Sequence, residues 1–294
     1  MTVEELPFFF SCGGESLLGI IARPSRPAPV GVLVIVGGPQ YRVGSHRQFL
    51  LLSRMLAAHG VPCMRFDYRG MGDSTGPAQG FEQALPDVSA AMGAFMDRLP
   101  GLERVVLWGL CDAASVACLY APMDSRVAGL VLVNPWVRTE VTAAATYLKH
   151  YYVRRLGDRD FWLKLARGEW RPTESLGAFA RLVGKALRPK RQDGEDGASS
   201  RATAPGPGSL PDRMAASLAR FRGPVLFVLS GNDYTAKEFM DVARVSKRWT
   251  TALAACRVAW KQLPEADHTF SSAAHRDQVA AWTLEWVRAI RRVR

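Results

Sequence analysis

The chain is 294 residues long, 48% apolar and 22% charged, enough for one large α/β domain with an insertion or two modest domains. No run of about 18 apolar residues occurs, so no membrane span is expected, and Met1–Leu6 lacks the basic and apolar regions of a signal peptide. The formal net charge of +11 raises nucleic acid as a partner, but the basic residues interleave with aromatics in no nucleic-acid-binding pattern, so none is expected.

In chain order, Pro7–Cys12 and Ser16–Ala22 are β-rich runs around Gly13-Gly14, which predicts an antiparallel hairpin. Val30–Val36 is continuously apolar, the pattern of a strand buried on both faces. His46–His59 has helical spacing at Phe49, Leu52, Met55 and Leu56, and Gly60 ends it. A strand over Val61–Asp67, a helix over Phe81–Leu99 and a strand over Val105–Trp108 follow. Then come a helix over Asp112–Tyr120 and a buried strand over Val127–Asn134. This alternation is that of a wound, mostly parallel sheet.

From Arg138 to about Arg220 the strands stop. Glu140–Leu156, Asp160–Leu165 and Glu174–Ala186 read as helices, and Arg188–Pro211 has the Gly, Pro and Ser content of a mobile loop. Alternation resumes with strand Val225–Ser230, helix Thr235–Ala254, strand Arg257–Leu263 and a helix over Ser271–Arg292. The predicted architecture is therefore a sheet core over 1–137 and 221–294, with a helical cap over 138–220 that contains the loop 188–211. Between Arg138 and Arg222 lie 17 Lys/Arg and 9 Asp/Glu, which supplies +8 of the net charge. Such a cap is either a solvated basic face or a surface for an anionic membrane, an acidic protein or an anionic substrate.

The five cysteines (Cys12, Cys63, Cys111, Cys118, Cys256) are odd in number and form no C-x-x-C pair or zinc spacing. They read as reduced thiols of a cytoplasmic protein, with no cofactor or metal expected. One of them stands apart. Val105–Trp108 stops at Gly109, and Cys111 follows two positions later, ahead of the small residues Ala113 and Ala114. A nucleophile on a sharp strand-to-helix turn needs small residues on either side, because the chain before and after it nearly touches. The usual form is G-x-S-x-G; here sulfur replaces the hydroxyl and Ala113 the second glycine. A buried core cysteine at a strand end is the simpler alternative.

Nucleophilic catalysis also needs a base, a group to orient it, and donors for the oxyanion. Asp233 follows the strand Val225–Ser230 and His268 follows the next strand, in the order nucleophile, acid, histidine. Asp267 is the second candidate acid. Singly, Asp233 reads as a turn residue and His268 as a helix-entry residue; together at strand ends they form a candidate Cys111–His268–Asp233 triad. His59 at a helix end has capping as a sufficient role, and His46, His150 and His275 are weaker candidates. The oxyanion donors are predicted as the backbone N–H of Asp112 and that of Gly38, with Gln40 second, since Pro39 has no N–H. Asp67–Ser74 carries two glycines but no G-x-G-x-x-G, and reads as a loop bracing the site rather than a phosphate cradle.

Gly37-Gly38-Pro39 resembles the loop of proline iminopeptidase-like α/β hydrolases, with Val36 where they carry histidine, and Asp67–Ser74 resembles the D-x-R-G-x-G-x-S run of that superfamily. Trp108–Ser115, Leu229–Phe239 and Ala266–Ser271 resemble the exosortase A system-associated hydrolases of type 1. The resemblance covers most of the predicted sheet domain. It implies an α/β-hydrolase fold, a cytoplasmic bacterial enzyme and a link to exopolysaccharide export. Cysteine nucleophiles also occur in the dienelactone hydrolases of this fold.

Three readings follow. One is an ester or thioester hydrolase acting through a Cys111 acyl-enzyme on a small-molecule or acyl-carrier substrate. The second is an acyltransferase to a glycan or lipid-linked sugar, because a thioester intermediate hands on its acyl group readily. The third is a non-catalytic binding module of the same fold. The intact order of cysteine, acid and histidine favours the first two, since a disused site has no reason to keep all three.

Overall fold

The computed structural model describes residues 3–38, 40–138 and 208–292. The predicted cap helices between 140 and 186 lie outside these residues, as does all but the end of the loop 188–211.

Eight strands form one sheet in the order β1-β2-β4-β3-β5-β6-β7-β8. Strands β1 (Val3–Cys12) and β2 (Glu15–Pro24) are an antiparallel hairpin. Its two turn residues, Gly13 and Gly14, both have positive φ (60° and 86°), which matches the right-handed twist of the paired strands. Strand β2 runs antiparallel to β4 (Cys63–Phe66). From β4 outward, through β3 (Val30–Ile35), β5 (Arg104–Leu110), β6 (Val127–Val133), β7 (Val225–Ser230) and β8 (Val258–Leu263), all pairings are parallel. The strands β3, β4, β6 and β7 are buried at every position, which explains the apolar runs of β3, β6 and β7; the buried Arg65 of β4 is paired with Glu5. Strand β8 is an edge and exposes Lys261 and Gln262, charge and polarity that discourage pairing with another chain.

Helices cover both faces. On one, α1 (Gln48–Ala58) packs beside the C-terminal helix that ends at Arg292, and Phe49, Leu52 and Leu56 join Val279, Leu284 and Val287 over Val34, Val106 and Trp108. The other face carries α2 (Leu85–Arg98) and α3 (Asp112–Tyr120). Helix α4 (Leu210–Phe221) buries Met214, Ala215 and Leu218, and the Cys118 thiol of α3 donates to its Met214 carbonyl at 3.4 Å. Contacts divide the chain at Arg138 and Pro211, so α4 lies almost wholly in the unit that holds the sheet, Met1–Val137 with Pro211–Arg294. Composition alone does not separate such an amphipathic helix from the segment before it.

The helix predicted over Thr235–Ala254 is two helices, α5 (Tyr234–Val245) and α6 (Lys247–Ala255). Ser246 between them is extended (φ −79°, ψ 119°). The bend lets the fully buried Trp249 meet Phe239 edge-on at 5.2 Å, a packing term that outweighs helical continuity. The C-terminal helix, α7, spans Ala273–Arg292.

Candidate active site

Strand β5 ends at Leu110 and α3 starts at Asp112, so the whole reversal falls on Cys111. Its backbone is at φ 63°, ψ −125°, a conformation costly for a side-chain-bearing residue. Surrounding hydrogen bonds hold it there. The Cys111 N–H donates to the Val133 carbonyl at 2.9 Å, and its own carbonyl accepts from Ala114 N–H (3.0 Å) and Trp136 N–H (3.1 Å). A Cβ on Gly109 would lie 2.4 Å from the Ala113 carbonyl oxygen, so only glycine fits. Alanine serves at 113 because it faces Gly37, where a Cβ would stand 3.1 Å from its methyl.

The loops after β7 and β8 are fastened to each other. Gly231 N–H donates to the Leu263 carbonyl (2.8 Å) and Asn232 N–H to that of Ala266 (3.0 Å). This brings Asp233 to His268, whose Nδ1 lies 2.9 Å from Asp233 Oδ2. Asp233 is also the N-cap of α5, accepting from Thr235 and Ala236 N–H at 3.1 Å each. These contacts fix the carboxylate before it meets the imidazole. The second candidate, Asp267, turns to its own loop and accepts from Thr269 and Ser271 N–H. Cys111 is the other group that acts on this imidazole. Burial is the largest influence on this imidazole and pushes its pKa down. The hydrogen bond and charge of Asp233, with Cys111 acting in the same direction, outweigh it and raise the pKa to about 10.

Cys111 is the partly exposed thiol with this environment. Cys63 and Cys118 are fully buried, and burial pushes both up to about 12. Among the described residues, no group of three or more His, Cys, Asp or Glu side chains is placed to hold a metal ion.

The Gly37-Gly38 loop reaches the elbow from β3. Gly38 is exposed with φ 59° and nothing within 4 Å of where a Cβ would sit. Its N–H donates to Asp112 Oδ2 at 2.9 Å. The Gln40 side chain accepts from Ser45 N–H at 3.2 Å, within its own loop.

The loop is anchored by Asp67, fully buried after β4. Asp67 accepts the Arg42 N–H at 2.7 Å, the Arg42 guanidinium and the Asp73 N–H at 3.1 Å. A Cβ on Gly72 would fall 2.2 Å from that carboxylate, which explains one of the two glycines in the run.

Asn134 was not marked by the sequence reading. It sits at positive φ (43°) just past β6, fully buried. Its amide donates to Ser230 Oγ and to the His268 carbonyl, and its oxygen accepts from Ser230 N–H, each at 2.9 Å. One side chain thus ties the ends of β6 and β7 to the histidine loop. The available signal is an asparagine closing an otherwise apolar strand.

A wound, mostly parallel sheet covered by helices on both faces defines a fold class that the comparisons bear out. A model of the alpha/beta hydrolase family matches residues 32–282, and the chain belongs to that family. The esterase Pf2001 of Pyrococcus furiosus shares the fold at a TM-score of 0.64, with 13% identity, over 98% of this chain and 91% of that one. Among curated proteins, the polyketide transferase grgF of a Penicillium species is 26% identical over 145 residues, 47% of this chain and 48% of its own length. Human protein ABHD12B is 29% identical over 142 residues, 43% of this chain and 37% of its own length. The alignments span less than half the length of these two relatives.

Proposed function

We propose that the protein hydrolyses an ester or thioester through a covalent Cys111 acyl-enzyme. The observation that carries this reading is the elbow, which holds one thiol at φ 63° beside an imidazole paired to a buried carboxylate. In the proposed reaction Cys111 Sγ attacks the acyl carbonyl, and the backbone N–H groups of Gly38 and Asp112 hold the oxyanion. The bond to the leaving group breaks, and His268 gives that group its proton. Water then attacks the thioester, returns a proton to His268 and releases the acid. Asp233 keeps the imidazole oriented and stabilises its charge throughout.

The esterase among the structural relatives supports hydrolysis through shared fold alone. A relative that is a polyketide transferase favours a second reading, in which an acceptor hydroxyl takes the place of water. The link to exopolysaccharide systems, the cytoplasmic location and a basic cap over 138–220 that meets an anionic partner rest on sequence. Among the described residues no helix is long and apolar enough to cross a membrane.

The test is intact-mass measurement after incubation with short p-nitrophenyl esters and acyl thioesters, alongside Cys111→Ala. The expected result is one acyl adduct on wild type, none on the variant, and turnover reduced by about 10³-fold or more. Added acceptor alcohols that speed adduct loss would select transfer. No adduct, no turnover and a Cys111 inert to iodoacetamide would leave a binding module.

A further inference from the structure

One of the two amides assigned to the oxyanion, that of Gly38, is turned to a side chain of this same chain. Gly38 N–H donates to Asp112 Oδ2 at 2.9 Å, and Ala113 N–H donates to Asp112 Oδ1 at 2.9 Å. A carboxylate cradled by backbone donors at a helix N-terminus has the charge and the hydrogen bonding that a tetrahedral oxyanion needs there. The fit is built in: a Cβ on Gly37 would lie 2.3 Å from Asp112 Oδ1, so the glycine makes room for this carboxylate. We infer that the Asp112 side chain occupies the oxyanion site of the empty enzyme and must leave it before an acyl carbonyl can be activated.

The inference rests on the reading of Cys111 as an acyl nucleophile. Three further observations bear on it. Asp112 takes part in no ion pair among the described residues, so amides alone hold it in place. Burial pushes its carboxyl above the usual range despite the amide donors and the nearby His268, so the occupied position is not a deep well for the charge. Tyr68 offers a buried hydroxyl with no hydrogen-bond partner among the described residues; burial, then the charges of Asp112 and Asp87, push its ionisation well above the ordinary value. A displaced carboxylate therefore has an unused donor in its neighbourhood. Asp112 is on this account a positioning residue, acting on the chemistry through the donors it blocks.

Two reactions of the same sulfur separate this role from a structural one. Acylation by p-nitrophenyl acetate passes through an oxyanion, whereas alkylation by iodoacetamide does not. The quantity to measure is the ratio of their rate constants at Cys111, by intact mass, in the full chain. Alanine at 112 empties the site, and asparagine leaves a neutral acceptor that binds more weakly than a carboxylate. Asp112→Ala should raise the ratio by about tenfold, and Asp112→Asn by less, the scale of one charge-assisted hydrogen bond lost to competition. Normalising to alkylation removes any change in the ionisation of the thiol. A ratio that falls or stays level in both variants overturns the inference, because the carboxylate then assists the transition state or does not compete. If Asp112→Ala fails to fold, Asp112→Asn decides alone. Alkylation without acylation in wild type and every variant sinks the acyl-nucleophile reading, and this inference with it.

Discussion

Just past the carboxyl ends of β4 and β5, two places apart in the sheet, the chain places an aspartate, Asp67 and Asp112. In structure the two carboxylates do opposite things. After β4, Asp67 is fully buried and receives a guanidinium as well as two backbone amides, so its charge is matched and its position fixed. After β5, Asp112 receives amides alone, and the strained Cys111 beside it faces an imidazole. A carboxylate locked to a cation braces a loop, whereas one held only by amides leaves those amides available to a ligand. The difference lies in the partner, and the partner of Asp67 is Arg42, twenty-five residues upstream.

The sharpest way to break the contrast is to neutralise the acid that orients the base. Asparagine at 233 retains an N-cap acceptor for α5, so stability should change by less than about 1 kcal/mol. The charge that orients the imidazole and stabilises its protonated form is lost. Asp233→Asn should slow acylation of Cys111 by about 10³- to 10⁴-fold. Pre-steady-state release of p-nitrophenol measures this, with thermal melting as the control. A rate within tenfold of wild type would demote Asp233 to a helix cap.

The bracing loop should respond the other way round. Asp67→Ala leaves the Arg42 guanidinium with the exposed Asp73 carboxylate alone and removes the acceptor of two backbone amides, a change that costs about 2–4 kcal/mol in stability. Urea unfolding should register that loss, while alkylation of Cys111 in the folded fraction stays within a few-fold of wild type. Loss of alkylation at unchanged stability would place Asp67 in the site's chemistry and erase the distinction between the two loops.

Much of this was legible in sequence because each signal was local. The apolar runs of β3, β6 and β7 mark strands buried on both faces, and Gly109 with Cys111 marks a turn that tolerates no side chain two positions before the sulfur. The order Cys111, Asp233, His268 could be read because each follows a strand. What could not be read depends on pairs distant in the chain. Asn134 matters through Ser230 and His268, and the Gly38 amide is engaged by a side chain 74 residues away. The break at Ser246 follows from Trp249 packing on Phe239, which helical periodicity does not report. Spacing finds the strand ends and the residues that follow them; it does not say which hydrogen bonds those residues keep.

The smallest expected effect concerns pH, and it too separates the loops. His268 has a folded pKa of about 10 against an ordinary 6.5, so the folded protein holds this proton more tightly than the unfolded chain does. Its stabilisation is therefore complete below about pH 6.5, falls as pH rises through the interval, and is gone above about 10. The Arg42 guanidinium paired with Asp67 keeps its charge throughout that interval and contributes a constant amount. Because the His268 side chain is 34% exposed, solvent screening keeps the effect to about 1 kcal/mol or less, about 2–4 °C in melting temperature. Wild type should accordingly lose its advantage over His268→Gln between pH 6.5 and 10, whereas Asp67→Ala should trail wild type by the same margin at every pH in that range. A His268→Gln difference that stays flat would mean that the imidazole carries no extra proton, and that the Cys111–His268 pair rests in its neutral form.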